Sequence, residues 1–384
     1  MAQETLEITG APHLQTSVQA LSSAVYAVAK AAAHTAPPRM NDWHPDRSNL
    51  TAILIEATSD KAPRLLATDG TTAIMASLPG EVLEPGRMLV HAWSLARLAK
   101  ALPADATVSI TAGERVQVEW DHGMLTLESH AAHDFPNVKV AGKKTLTVSG
   151  KALHQLVRRV AHASATRDDG RMFTMSIHLS ASQGRLTAMA TDNHRLAIGN
   201  VPCIVARSGE ALVPMKGLRV VTQVFSSQEK VAVSFNDEHV LFRGETYTAR
   251  VEVVQARFPD PQRLLEQATT AHAVCDGAAL ASALRRAKTV VNPNNDGIDF
   301  DFAMNEVILS RKTWQAEIRE ILAAQVSGVG AHVRLNRGMV DEALHALGTA
   351  GPVTIELTGE ESPMRISRTN EDDFVVVVMP LRMG

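Results

Sequence analysis

Three landmarks of this chain recur at one spacing: Thr68 and Thr191, Leu95 and Leu218, and Pro136 and Pro259 are each 123 positions apart. A strand end, a helix face and a closing Phe-Pro that share one offset across a whole module mark copies of one fold. The series continues at an offset of 127, from Ser149 to Asp276, from Leu153 to Leu280, and from Arg158-Arg159 to Arg285-Arg286. A length of 384 residues accommodates three such modules, which we place at 1–143, 144–268 and 269–384.

Each module reads as two helices and a meander of strands. In the first, Val18, Leu21, Val25 and Val28 recur at helical steps within 16–33, with Ser17 as N-cap. Pro37-Pro38 stop that helix, and a polar segment leads to a strand from Leu50 to Ile55. Leu95, Leu98 and Leu102 mark a second helix over 90–102. Alternation then predicts strands around Val108 and Ile110, Val116 and Val118, and Leu125 and Leu127, turning at Gly113-Glu114 and His122-Gly123. The order restarts with Ser149 as cap, Leu153, Leu156, Val157 and Val160 as a helix face, and a second helix over 215–225. In the third module the second helix falls at 336–347, and the Thr-Asp signature has decayed to Ser310-Arg311-Lys312.

The fold class this predicts is α+β, with two helices per module on one side of an antiparallel sheet. Head-to-tail copies joined strand to strand curve and close, because an open sheet edge invites further pairing. Closure sets one layer, expected to be the helices, around a hole. Those helices carry Arg97 and Lys100, Arg158 and Arg159, Lys216 and Arg219, then Arg285, Arg286 and Lys288. Each pair alone fits a solvated face equally well. The arginine pair recurring at a fixed repeat position favours sequence-independent contact with phosphates. Aromatics are scarce at 4%, and no stacking platform for single strands is evident, so duplex is the expected partner. A net charge of −3 argues against a protein held on nucleic acid by charge alone.

Cys203 and Cys275 have neither metal-ligand nor redox spacing and are read as isolated buried thiols. The N-terminus lacks the pattern of a signal peptide, and no apolar run approaches the roughly 20 residues of a membrane helix, so a cytoplasmic protein is expected.

Ala-Thr-Asp-Asn-His-Arg-Leu-Ala at 190–197, Arg-Phe-Pro-Asp at 257–260, Asp-Phe-Pro-Asn at 134–137 and the terminal Val-Val-Met-Pro-Leu-Arg together resemble the bacterial DNA polymerase III beta subunit, the β sliding clamps. The likeness runs from Thr16 to Met383. It implies a homodimeric ring around duplex DNA that performs no chemistry, holds no metal or cofactor, and tethers polymerase and clamp-loader subunits through short peptide motifs. The implied peptide pocket takes Thr174, Thr191, Asn193, His194, Arg195 and Leu196 from the second module. Pro259, Arg263 and Leu264 come from its closing segment. The third module supplies Asn336, Met339, Met364, Val377, Val378, Met379, Pro380, Leu381 and Arg382. The implied dimer edge sets Leu125 and Leu127 against Val290 and Val291. Asn193 stands where the family usually has glycine, Thr174 where it has leucine, and Met339 where it has tyrosine, so peptide preference is expected to differ.

Two rival readings remain. His130, His133 and Asp134 suggest a metal-dependent phosphohydrolase, although the stretch follows a strand rather than lying on helices and is not reproduced at Arg257. The altered pocket also fits a clamp paralogue specialised for repair, for phage or plasmid replication, or for inhibitor resistance.

Overall fold

A computed structural model describes residues 11–33, 47–130, 132–291, 296–328, 331–359 and 362–381. Pro37-Pro38 and Arg382 lie outside the described residues, as do the side chains of His130 and Asp134. The chain forms two compact units, residues 1–151 with 216–253, and residues 152–215 with 254–384. The division passes through the second repeat.

In the first unit the expected helix is Val18–Ala29. Thr16 and Ser17 belong instead to a strand, His13–Ser17, that pairs with Thr107–Thr111. Ser17 is the cap, accepting from the Ala20 N–H at 3.2 Å, and Val18, Leu21, Val25 and Val28 are buried. The strand expected from Leu50 begins later: Arg47–Thr51 is a 3-10 turn and the strand is Ala52–Thr58. The second helix, Ala92–Ala101, buries Ala92, Leu95, Ala96 and Ala99, whereas Leu98 and Leu102 are half-buried. Its inner face is narrower than the leucine spacing suggested, and alanines let it approach Val18–Ala29 closely.

The strands of this unit pair antiparallel throughout. From Leu146–Val148 the order runs through Val231–Phe235, His239–Arg243, Tyr247–Glu252, Thr72–Ser77, Lys61–Thr68, Ala52–Thr58, Gly86–His91, Gly123–His130, Arg115–Trp120 and Thr107–Thr111 to His13–Ser17 and Glu81–Glu84. Phe135 of the first Phe-Pro plugs a cluster of Ala52, Leu54, Leu66, Ala73 and Leu89. That part of the repeat signature is therefore a packing device.

The second unit carries a 12-stranded sheet. Its order runs Gly209–Pro214, Ser176–Ser182, Arg185–Thr191, Arg195–Pro202, Phe374–Val378, Met364–Arg368, Pro352–Leu357, Ala271–Asp276, Glu317–Gly328, Glu306–Lys312, Gly297–Ala303 and His332–Asn336. Helices Gly277–Ala287 and Arg337–Leu347 pack together on it. Asp276 caps the first, accepting from the Ala279 N–H at 2.7 Å, and Asn336 the second, accepting from Met339 N–H at 3.0 Å. Leu153, Leu156, Val157 and Val160 are all buried, as their spacing required. Phe258 of the second Phe-Pro stacks on the His178 ring, 5.4 Å between centroids. Cys275 is buried, but Cys203 is only half-buried, being at the end of a hairpin.

The sheets contain two joints between repeats, and their registers coincide. In the first unit Thr72 to Ala76 pair with Val251 to Tyr247, flanked by Glu252 N–H to Thr71 C=O at 2.9 Å. In the second unit Arg195 to Gly199 pair with Val378 to Phe374, flanked by Met379 N–H to His194 C=O at 2.8 Å.

Candidate partner-peptide site

The turn at Thr191 is built by its own side chains. Thr191 donates its hydroxyl to the Arg195 C=O at 2.7 Å and accepts from the Asn193 N–H at 3.1 Å. Asp192 Oδ1 accepts from the N–H groups of His194 and Arg195, both at 3.0 Å. Asn193 takes a left-handed backbone, φ 70°, which asparagine tolerates better than other residues with a Cβ. The copy at Thr68 repeats these bonds, with Gly70 at φ 96° and Thr72 N–H to Asp69 Oδ1 at 2.7 Å. No catalytic partner is needed to explain the Thr-Asp pair.

The third repeat keeps a turn of the same length, without the left-handed residue, but not at Ser310-Arg311-Lys312. Lys312 pairs with Glu317 just as Thr191 pairs with Leu196, so the equivalent loop is 313–316. There the Thr313 hydroxyl replaces the aspartate, accepting from the Ala316 N–H at 3.1 Å. A change of residue type hid the turn from sequence comparison.

What the second repeat adds is Arg195. Its Nε donates to Asp192 Oδ2 at 3.0 Å and its Nη1 donates to Glu342 of helix Arg337–Leu347, with only 11% of the side chain exposed. A guanidinium held between two carboxylates fixes the turn against that helix. His162 lies in the same field. Its Nδ1 is 2.8 Å from the Arg159 C=O, so the proton sits on Nδ1, while Nε2 is buried without a partner among the described residues. Burial pushes this imidazole below its ordinary value; the Arg159 carbonyl opposes that, Arg195 reinforces it, and Glu342 and Asp192 oppose it.

Around the turn the proposed pocket residues divide by depth. Leu196, Met364, Val377 and Val378 are buried as the floor, while Asn193, His194, Pro259, Arg263 and Leu381 are exposed. Leu264, Met339, Met379 and Pro380 are half-buried. Thr191 is buried within its turn, and Asn336 spends its side-chain oxygen on a helix cap. Thr174 is fully buried. Its hydroxyl lies 2.9 Å from Asp169 Oδ1 and 2.7 Å from the Arg171 C=O, and it holds the Asp169 carboxyl below its usual range. The threonine thus organises loop 165–173 rather than offering surface. The terminal segment is strapped down by a Leu335–Pro380 bridge and by Leu381 N–H to Arg334 C=O at 2.8 Å.

Sequence reasoning missed two residues here. Arg337 is buried with a bidentate pair to Asp296, at 2.8 and 3.1 Å, which anchors the start of its helix. Glu342 is the other, and only its fold neighbour Arg195 gives it meaning.

The remaining candidates stand as follows. Arg97, Lys100, Arg158, Lys216, Arg219, Arg285 and Lys288 are exposed. Arg159 is engaged with Asp373 at 2.9 Å and lies over the Phe374 ring, and Arg286 grips Glu320 at 2.6 and 2.7 Å. Leu125, Leu127, Val290 and Val291 are half-buried. Among the described residues, Gly123 to Glu128 pair with Trp120 to Arg115, but on the other side of that strand only Ser129 and His130 find partners. Residues 317–323 likewise pair on one side alone, with 306–312. No group of three or more potential metal ligands occurs among the described residues, and no helix there is long and apolar enough to cross a membrane.

Comparison with known proteins agrees with this architecture. Residues 147–260 match the family model described as DNA polymerase III beta subunit, central domain, and residues 262–382 match its C-terminal domain. Proteins named beta sliding clamp from Pseudomonas putida and Escherichia coli are 27% and 25% identical to this chain. The first match covers 79% of this chain and 84% of the relative, the second 78% and 83%. The crystal structure of the DNA polymerase III subunit beta from Pseudomonas aeruginosa superposes with a TM-score of 0.88 at 23% identity, covering 97% of this chain and 100% of that one. The sliding clamp structure from Bacillus subtilis gives 0.89 at 19% identity, covering 98% and 100%. Nothing in these comparisons favours a phosphohydrolase or a specialised paralogue. The chain belongs to the DNA polymerase III beta subunit family, the bacterial β sliding clamps.

Proposed function

We propose that two copies of this chain close head to tail into a ring of six modules, with boundaries at 1–143, 144–268 and 269–384 in each copy. The ring encircles duplex DNA, performs no chemistry, and tethers a polymerase and clamp-loader subunits by their peptide tails. One observation carries this reading. Two joints between repeats use one register, and among the described residues the two strand edges that a third such joint would use, at 123–128 and 317–323, have no partner. In the shared register Ile318 faces Leu125, as Ala197 faces Val376 and Ile74 faces Ala249. A ring explains how a protein of net charge −3 stays on DNA, because enclosure replaces affinity. The exposed arginines and lysines then need only weak, sequence-independent contacts with phosphates.

The test uses loader, ATP and a nicked circular plasmid. Protein loaded on the circle should survive a salt wash and leave when the plasmid is linearised; retention on linear DNA would overturn enclosure. For the peptide site, deletion of 379–384 should abolish binding of a polymerase tail peptide and leave the dimer intact. Unchanged peptide affinity would mean that the site lies elsewhere.

A further inference from the structure

Among the described residues, Trp314 is the most exposed large apolar side chain, at 91%. It sits at the tip of the turn that replaces Asp69 to Thr72 and Asp192 to Arg195 in the third repeat, at the position of Gly70 and Asn193. A lone indole held in water, in a turn that Thr313 and Ala316 close between themselves, has no fold role to explain it.

The other two turns show what this position meets. Each leans on the second helix of the following repeat. Thr72 is so close to helix Met215–Val224 that a Cβ on Gly217 would strike its Oγ1, and Arg195 reaches Glu342 on helix Arg337–Leu347. For the turn at 313–316, the corresponding helix is Ala92–Ala101 of a second copy. Helix alignment puts Arg97 at the place of Glu342, since Ala92, Met215 and Arg337 each begin their helix. Position 316, where Arg195 stands in the second repeat, is an alanine. The cation has moved to the helix, and beside it the turn offers an aromatic face.

We propose that Trp314 is an inter-subunit anchor, packing on helix Ala92–Ala101 of a second copy of this chain with its ring over Arg97 of the partner subunit. The inference rests on the ring reading above and adds a contact that reading does not require. Cation–π geometry and apolar burial make this an anchor of the kind that dominates an interface. It also assigns Arg97 to the joint rather than to DNA.

Sedimentation equilibrium on the full chain, on Trp314→Ala and on Met304→Ala tests it, with the emission of Trp314 read as the difference between the wild type and Trp314→Phe. Met304 is a control, exposed at 86% but at the opposite end of the same strand. Expected are a roughly thirty-fold rise in the dimer dissociation constant for Trp314→Ala, no change for Met304→Ala, and a blue shift of Trp314 emission on dimerisation. Unchanged thermal melting of the dilute Trp314→Ala monomer separates the effect from misfolding. A wild-type dimer whose stability ignores Trp314→Ala, with Trp314 emission still that of solvated indole, would overturn the anchor and leave the ring standing. A wild type that never dimerises would overturn both.

Discussion

At the scale of single residues, the turn at Thr191 is held by a carboxylate that accepts from two backbone N–H groups and one guanidinium. Asp192→Ala leaves all three donors unmatched, and hydrogen bonds to a charged group contribute about 1.5–3 kcal/mol each at most. Urea unfolding should show a loss of about 2 kcal/mol, and tail-peptide affinity should fall with it because Arg195 is then held by Glu342 alone and no longer by its own turn. Asn193→Gly goes the other way: glycine adopts φ 70° without steric cost, so the variant should be as stable as the wild type or more so. His162 supplies a pH dependence. Burial lowers its folded-state value below the 6.5 of an exposed imidazole, so the unfolded chain takes up the proton first as pH falls. Its contribution is whole above pH 6.5 and shrinks as pH drops below that toward the lowered folded value. Thermal melting followed from pH 7 down to 5 should therefore decline, and His162→Asn should flatten the decline. An unchanged slope in that variant would assign the effect to another group, with His178, also lowered by burial, the first to test.

At the scale of elements, helices were legible where their faces were aliphatic and long-stepped, as with Leu153 to Val160. They were less so where alanine carries the contact, as in Ala92–Ala101, because small residues leave no hydrophobic period. The floor of the peptide site was readable through its apolar strand, but Thr174 was not, since its burial follows from a loop whose hydrogen bonds no spacing announces. Arg337 and Glu342 escaped for a related reason: their partners, Asp296 and Arg195, are distant in sequence. One element boundary is sharply constrained. Gly150 opens its helix so near the end of helix Met215–Val224 that a Cβ would lie 1.9 Å from the Phe225 C=O and 2.7 Å from that of Gln228. Both neighbours are backbone and cannot swing aside. Gly150→Ala should cost at least about 1–3 kcal/mol in chemical denaturation, the range of an overpacked core, whereas Gly170→Ala, with open space but φ 79°, should cost only about 1 kcal/mol of backbone strain.

At the scale of the whole molecule, the question is whether the third joint copies the other two, and a register can be tested more sharply than a stoichiometry. In an antiparallel ladder, directly opposed residues alternate between hydrogen-bonded and non-hydrogen-bonded pairs, and the latter bring Cα atoms to about 4.5 Å. Thr71 with Glu252 is hydrogen-bonded, so Ile74 with Ala249 is not, and the same alternation carries Ala197 with Val376. Transferred to the open edges, it makes Ile318 and Leu125 of the partner subunit a close, non-hydrogen-bonded pair. Cysteines there meet the geometry of a disulfide, whereas cysteines displaced by two residues do not. With Cys203 replaced to remove the half-buried thiol, Ile318→Cys with Leu125→Cys should oxidise rapidly to covalent dimer, and Ile318→Cys with Leu127→Cys should not. Because each subunit contributes one of each edge, full oxidation closes both joints. Such a ring, once on a circular plasmid, should resist denaturant as well as salt. Cross-linking of the displaced pair alone would mean the copies meet in another register, and Trp314 would then face a different part of the partner.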